Sequence, residues 1–334
     1  MEILSTSDVD LRRAAASLAA GFLVAFPTET VYGLGADAFN PASIAKIFEA
    51  KKRPSFDPLI VHIAEREAVF RITDRSSVSE TALKRLSMLS ERFWPGPLTV
   101  VLPKRKEIPN IATAGLATVA VRFPSHPAAQ ALIRLSTGAV AAPSANSFGC
   151  LSPTRAEHVS SQLGDRVDII IDGGKTEVGL ESTILDLTCD PPGILRLGGI
   201  SREDIEALMG PVGLSLQSPA GTPLSPGQLK SHYAPRTPLV LHKQGELDAI
   251  LPEPDEGRLY FSRAKKRSIA PGRTRVLSET SDLAEAAANL FDMLHELDSL
   301  GLRLIRAEEA PSSGLGEAIN DRLRRAESGH SAKP

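Results

Sequence analysis

Residues 27–62 read PTETVYGLGADAFNPASIAKIFEAKKRPSFDPLIVH, and the pattern within and around this stretch decides the fold. Just before it, Leu23-Val24-Ala25-Phe26 is an apolar run of strand length. Before that, apolar residues recur at helical spacing over 9–18, with Gly21 as a stop. Asn40 followed by Pro41 marks a second helix start: the asparagine side chain accepts from free amides, and proline at the first helical position gives up no hydrogen bond. That helix runs to about Arg53, where Pro54 ends it. A second apolar strand follows over 59–63.

Working outward, the pattern predicts further strands at 98–102, 118–123, 139–142, 167–171, 182–187 and 193–197, with helices at 78–93, 127–136, 155–163 and 202–209. Strands that follow one another without a helix, as over 167–197, point to a mixed sheet, and the expected fold is α/β with a twisted open mixed sheet. Residues 210–238 are dense in Pro, Gly and Ser and read as a linker, although its length and its His232-Tyr233 pair favour a functional segment over a mere connection. Beyond it, strands at 239–241, 258–261, 275–277 and 302–305 alternate with helices at 247–251, 283–300 and 316–325. This predicts a second, smaller Rossmann-like α/β domain over 239–334, after a first domain over 1–209. Leu283, Ala287, Leu290, Leu294 and Leu297 supply the apolar stripe of its longest helix, and residues 328–334 are expected to fray.

Composition narrows the class. A chain of 334 residues can build two cores, and 42% hydrophobic with 23% charged residues fits a soluble globular protein. A net charge of -2 argues against holding nucleic acid by bulk electrostatics. Two cysteines, Cys150 and Cys189, exclude a disulfide framework and a cysteine zinc site. The start, MEILSTSDVD, carries acids where an export signal needs basic residues, and no apolar run reaches the roughly 20 residues of a membrane span. A soluble cytoplasmic protein with no membrane association is the expectation.

The residues that bear chemistry each admit a structural and a functional reading. Gly33, Gly35 and Ala38 fit a GxGxxA string, but no helix amino terminus follows the glycines directly, so we read no phosphate loop there. Lys51, Lys52 and Arg53 close a helix, where cations are favoured by the dipole alone. Thr30 sits in a loop after a buried strand, as a turn former or a ligand to a small polar substrate. His62 lies among apolar neighbours on a strand, the usual place for a structural imidazole. Arg122 and Arg196 project from strands that want burial, so each must meet a protein carboxylate or an anionic ligand. Ser144-Ala145-Asn146 and Ser152-Pro153-Thr154 pass equally well for turns and caps.

Taken together, Pro27-Thr28-Glu29-Thr30-Val31-Tyr32-Gly33-Leu34-Gly35, Lys51-Lys52-Arg53-Pro54, Pro58-Leu59-Ile60-Val61-His62 and Ser144-Ala145-Asn146 closely resemble the YrdC-like family. Ala120-Val121-Arg122, Glu181-Ser182-Thr183-Ile184-Leu185-Asp186 and Leu195-Arg196-Leu197-Gly198 extend the likeness over the first domain. Ser225-Pro226-Gly227 and His232-Tyr233-Ala234-Pro235 resemble the linker of the two-domain threonylcarbamoyl-AMP synthases. The resemblance implies a positively charged concave site that makes threonylcarbamoyl-AMP and pyrophosphate from L-threonine, bicarbonate or CO2, and ATP with Mg2+. It also implies that the product passes to the tRNA threonylcarbamoyl transferase machinery. Carried over by position, threonine contacts fall on Thr30, His62, Arg122 and Ser182. The ATP contacts fall on Lys51, Arg53, Asp57, Thr118, Ser144, Asn146, Ser152, Arg196 and Tyr233, with Lys51 and Arg53 as the catalytic cations; no residue is assigned to the metal. Two positions depart from the family's pattern: Asp57 stands where many relatives have asparagine, and Gln228-Leu229-Lys230 replaces a methionine-lysine pair.

The implied chemistry needs no covalent enzyme intermediate. The threonine amine takes up CO2 to form a carbamate, whose oxygen attacks the α-phosphorus of ATP and expels pyrophosphate, so catalysis rests on alignment and on countering charge. Arg53→Ala is expected to lose most activity without unfolding the protein, and the linker is expected to close over the nucleotide through Tyr233. One rival is a double-stranded RNA-binding module gripping through Lys104-Arg105-Lys106 and Lys265-Lys266-Arg267, which steep salt dependence without ATP consumption would reveal. Another is an enzyme moving a different carbamoyl group, which would show no threonine dependence.

Overall fold

Phe26, just before the opening stretch, and Ile60, near its end, belong to strands of one sheet in the computed structural model of the chain, which describes residues 1–216, 223–228, 232–262 and 272–331. Its strands, in chain order, are β1 (Glu2–Leu4), β2 (Val24–Phe26), β3 (Gly33–Asp37), β4 (Ile60–Ile63), β5 (Leu98–Pro103), β6 (Thr118–Arg122), β7 (Ala139–Ala142), β8 (Ile169–Ile171), β9 (Thr183–Asp186), β10 (Gly193–Arg196) and β11 (Gly213–Leu214). They are ordered β1-β8-β2-β3-β7-β4-β6-β5-β9-β10-β11. The sheet is mixed, as expected: β4 runs parallel to β6, for example, and antiparallel to β7. The helices are α1 (Asp8–Ala19), α2 (Pro41–Lys51), α3 (Val69–Ile72), α4 (Glu80–Phe93), α5 (Pro127–Leu135), α6 (Ala156–Leu163) and α7 (Arg202–Met209).

The second sheet is wholly parallel, in the order β12 (Leu239–His242), β15 (Leu304–Glu308), β13 (Glu256–Ser262), β14 (Thr274–Ser278). It carries α8 (Leu283–Asp298) and α9 (Leu315–Ser331). This matches the expected Rossmann-like unit. The turn at 247–251 is a 3-10 helix, Glu246–Ala249, instead of an α-helix. The end read as frayed from 328 is helical through Ser331, with 332–334 outside the described residues.

Three further strands escaped the sequence pattern. β1 is short and half exposed, and β11 lies inside the stretch read as linker, pairing two residues with β10. The first sheet therefore extends past 209 to Leu214. β3 holds both glycines of the GxGxxA string. A Cβ on Gly35 would stand 2.8 Å from Val140 Cγ1 and 2.9 Å from Phe26 Cε1, so close packing between strands, not phosphate approach, requires that glycine.

The terminus of α2 sets up the site. The Asn40 side chain accepts from the amides of Ala42 and Ser43 at its start. At its end Lys52 takes the left-handed conformation (φ 54°), with Lys52 N–H donating to Glu49 O and Arg53 N–H to Phe48 O, a Schellman closure. That reversal buries Lys51 and Arg53 on one side and leaves Lys52 exposed. The principal buried cluster runs through both units, joining Leu34, Val61 and Leu98 to Leu259, Leu290 and Phe291. α8 is fastened to the first unit by Asp292, which pairs with Arg155 (2.7 Å) and Lys175 (2.9 Å). Among the described residues no helix is long and apolar enough to cross a membrane.

Candidate functional site

Strand alternation puts Ile60 and His62 on one face of β4, and Ala120 and Arg122 on the same face of β6, with His62 opposite Arg122 and Arg122 opposite Thr99. Ile60, Val101, Ala120, Ile184 and Leu195 form a small apolar cluster of their own on these central strands. Over this face opens a cleft lined by Thr28, Thr30, Tyr32, Arg53, His62, Arg122, Ser144, Glu181 and Arg196. Pro226, Gly227, His232 and Tyr233 of the linker complete it. Seven of the residues singled out in the sequence therefore converge: Thr30, Arg53, His62, Arg122, Ser144, Arg196 and Tyr233.

Five others stand directly behind that wall. Lys51 Nζ donates to Ser144 O (2.6 Å) and to the carbonyl and side-chain oxygens of Asn146, so it holds the 144–146 turn in place. Asp57 is fully buried against Arg53, with 2.9 Å from Nη2 to Oδ2. Ser152 Oγ donates to Glu181 Oε1 (2.5 Å). Ser182 receives Arg196 on both its carbonyl and its hydroxyl, at 2.9–3.0 Å. Thr118 alone stands apart: it begins β6 opposite Pro103, four residues along the strand from Arg122, and does not line the cleft.

The electrostatics are dominated by burial. Desolvation, reinforced by the neighbouring Arg122 charge, pulls His62 down to about 3, so its ring is neutral at pH 7. Its Nδ1 has no hydrogen-bond partner among the described residues. Burial and the Arg53 charge bring Lys51 well below the ordinary lysine range. Burial raises Asp57, against the pull of Arg53. Burial alone would raise Glu181 too, but Arg322, Arg196 and the Ser152 hydroxyl outweigh it and hold the carboxyl low.

Several site residues were not picked out from the sequence. Glu29 is the carboxylate that Arg122 required: Nη2 lies 2.7 Å from Oε1, both side chains being buried. The two residues sit far apart in the chain, and only the motif position of Glu29 between two threonines hinted at a role. Glu181 also lines the cleft, beside His232, which the sequence marked with Tyr233 as functional without giving it a contact, and Arg322 of α9 reaches Glu181 from the second unit. No local signal marks Arg322, which sits among other charged residues on a polar helix.

Comparison with known proteins agrees with this geometry. A family model described as Telomere recombination, covering the Sua5, YciO and YrdC proteins, matches residues 16–198. One described as Threonylcarbamoyl-AMP synthase, C-terminal domain, matches residues 200–328. The threonylcarbamoyl-AMP synthase of Bacillus subtilis (strain 168) is 42% identical, covering 98% of this chain and 95% of that protein. That of Schizosaccharomyces pombe is 36% identical over 91% of this chain and 85% of its own length. The crystal structure of Pyrococcus abyssi Sua5 complexed with L-threonine superposes with a TM-score of 0.88 at 39% identity, covering 98% of both chains. With both parts of the chain matched and a cleft built from the shared motifs, this protein belongs to the Sua5/YciO/YrdC family, in its two-domain form.

Proposed function

We propose that this chain condenses L-threonine, CO2 or bicarbonate, and ATP into threonylcarbamoyl-AMP and pyrophosphate. The observation that carries the reading is the convergence of Thr30, Arg53, His62, Arg122, Ser144, Arg196 and Tyr233 on one cleft from seven separate segments of chain. An amino-acid pocket and a polyanion pocket side by side account for all of them together.

In this reading the threonine carboxylate meets Arg122, whose guanidinium keeps one edge on Glu29 and turns the other to the substrate. The neutral His62 Nδ1 accepts a hydrogen bond from the amine or hydroxyl, and Thr30 serves the same small polar head. A neutral ring matters because a cation there would repel the ammonium of an incoming amino acid. Arg53 and Arg196 stand where the triphosphate lies, and their charges stabilise the developing negative charge as pyrophosphate leaves. Lys51 acts through the 144–146 turn that it holds. The carboxylates nearest the cleft, Glu29, Asp57 and Glu181, are each held by an arginine, so magnesium enters with the nucleotide as part of the substrate. The linker closes the cleft: Ala234 N–H donates to Gly149 O (2.9 Å), which brings Tyr233 over the nucleotide side and shields a hydrolysable mixed anhydride from water. The product then serves a tRNA-modifying transferase.

The RNA-binding alternative gains nothing from the fold. Lys104 Nζ is engaged by Asn110 (2.5 Å) and Arg105 by Glu107 (3.1 Å), and the second basic run, 265–267, lies outside the described residues. The deciding assay measures pyrophosphate and AMP-linked product from ATP and bicarbonate with threonine, with serine and with no amino acid. Threonine-dependent release is expected; release indifferent to threonine overturns the reading.

A further inference from the structure

Arg322 of the second unit reaches the wall of the cleft at Glu181. Arg322, in the middle of α9, is 1% exposed; its Nη1 donates to the neighbouring Asp321 (2.6 Å), and the rest of its guanidinium faces the first unit. Its Nε donates to Glu181 Oε2 (2.9 Å), its Nη2 donates to Leu197 O (2.7 Å), and its guanidinium carbon lies 4.7 Å from the centre of the Tyr233 ring. Glu181 spends its other oxygen on Ser152 Oγ. One guanidinium thus binds the loop that carries Glu181 and Ser182, the strand end after Arg196, and the linker tyrosine.

The surroundings are built to accept it. α8 presses on the same loop so tightly that a Cβ on Gly179 would stand 2.3 Å from Ala287 O, and Gly179 takes φ +73°. A Cβ on Gly198 would meet Glu181 O at 2.3 Å. Phe291 of α8 also packs against the Tyr233 ring, with centroids 5.7 Å apart. Tyr233 itself has φ 63°, a conformation that a non-glycine residue adopts only where contacts hold it.

We infer that Arg322 is a positioning residue supplied by the second unit: by clamping Glu181 and stacking on Tyr233 it sets the linker and the 179–182 loop in the arrangement that receives the nucleotide. The inference rests on the function proposed above and gives the second unit a part in it. The planar fork is needed, since a lysine ammonium keeps the charge but offers neither the stack nor two divergent donors.

The test uses the full chain and three variants: Arg322→Met, Arg322→Lys, and Glu181→Gln with Arg322→Met, which removes the buried Glu181–Arg322 pair together, while Asp321 keeps Arg325 as a partner. ATP and threonine dissociation constants are measured by calorimetry, alongside thermal midpoints and steady-state kinetics. Arg322→Met is expected to weaken ATP about 10-fold or more, raising KM for ATP, while threonine affinity stays within about twofold. Arg322→Lys is expected to recover only part of that loss. ATP affinity within twofold of wild type in a folded Arg322→Met chain overturns the inference. So does a loss that merely tracks the unfolded fraction, or failure of the charge-free double variant to fold. Absence of threonine-dependent turnover in the wild type counts against the proposed function alone, since the calorimetric comparison still decides the role of Arg322; a wild type that binds no ATP overturns both.

Discussion

Arg53→Ala separates folding from chemistry at the centre of the cleft. From the sequence, the substitution is expected to lose most activity without unfolding the protein. The structure adds a stability cost to this expectation, because Arg53 is the ion-pair partner of a fully buried Asp57 and also donates to Asp57 O and Pro58 O. Removing one member of a buried pair costs about 3–5 kcal/mol. An unfolding entropy of about 2.1 cal/mol/K per residue gives about 0.7 kcal/mol/K for 334 residues unfolding together, so the midpoint falls by about 4–7 °C. Asp57 adds a pH signature. Burial raises its folded value above the ordinary one, so the stability linked to it is present at low pH and is lost as pH rises through the raised value. The deficit of Arg53→Ala therefore shrinks on acidification. Adding Asp57→Asn removes the stranded charge and should restore more than half of the lost midpoint, while turnover stays down by about 10²–10³, the usual loss for a deleted transition-state donor. Calorimetric or fluorescence melts at pH 5 and 7, paired with pyrophosphate release, give both readings. A midpoint for Arg53→Ala within a degree of wild type would refute the burial argument, and near-normal turnover in the double variant would remove Arg53 from the chemistry.

Arg122→Lys should weaken threonine about 10-fold to 100-fold with little change for ATP, since an ammonium cannot hold Glu29 and a substrate carboxylate side by side; equal losses for both ligands would contradict that assignment. His62, neutral in the fold and held at about 3, should cost about 2 kcal/mol of stability as pH falls from 6.5 to 5, because the unfolded chain takes up a proton that the native ring refuses. A His62→Gln chain whose stability falls just as steeply over that range would show that other groups carry the effect. Gly35→Ala should destabilise by about 1–3 kcal/mol, as its methyl group drives into Val140 and Phe26, and an unchanged melting curve would mean that β2, β3 and β7 yield more readily than their packing indicates.

Much of the fold is written in short-range signals. Asn40-Pro41 starts α2 where the caps say it should, Pro54 follows its end, and the apolar runs at β4, β5, β6 and β7 lie where their composition placed them. The motifs carried the family and most of the site, since seven of their residues line one cleft. Such features are legible because capping, strand alternation and motif spacing act over a few residues. Tertiary structure decided the rest. β3 is disguised by glycines whose need is set by side chains from β2 and β7, and β11 is a strand only because β10 offers it a partner. Whether Arg122 and Arg196 meet carboxylates or ligands was open in the sequence. In the fold Arg122 takes Glu29, while Arg196 takes the oxygens of Ser182. Thr118 shares a strand face with Arg122, yet its place at the far end of β6 keeps it out of the cleft. Arg322 lies 141 residues from the Glu181 it holds, and no local pattern encodes a contact that exists only after two sheets have packed around one core.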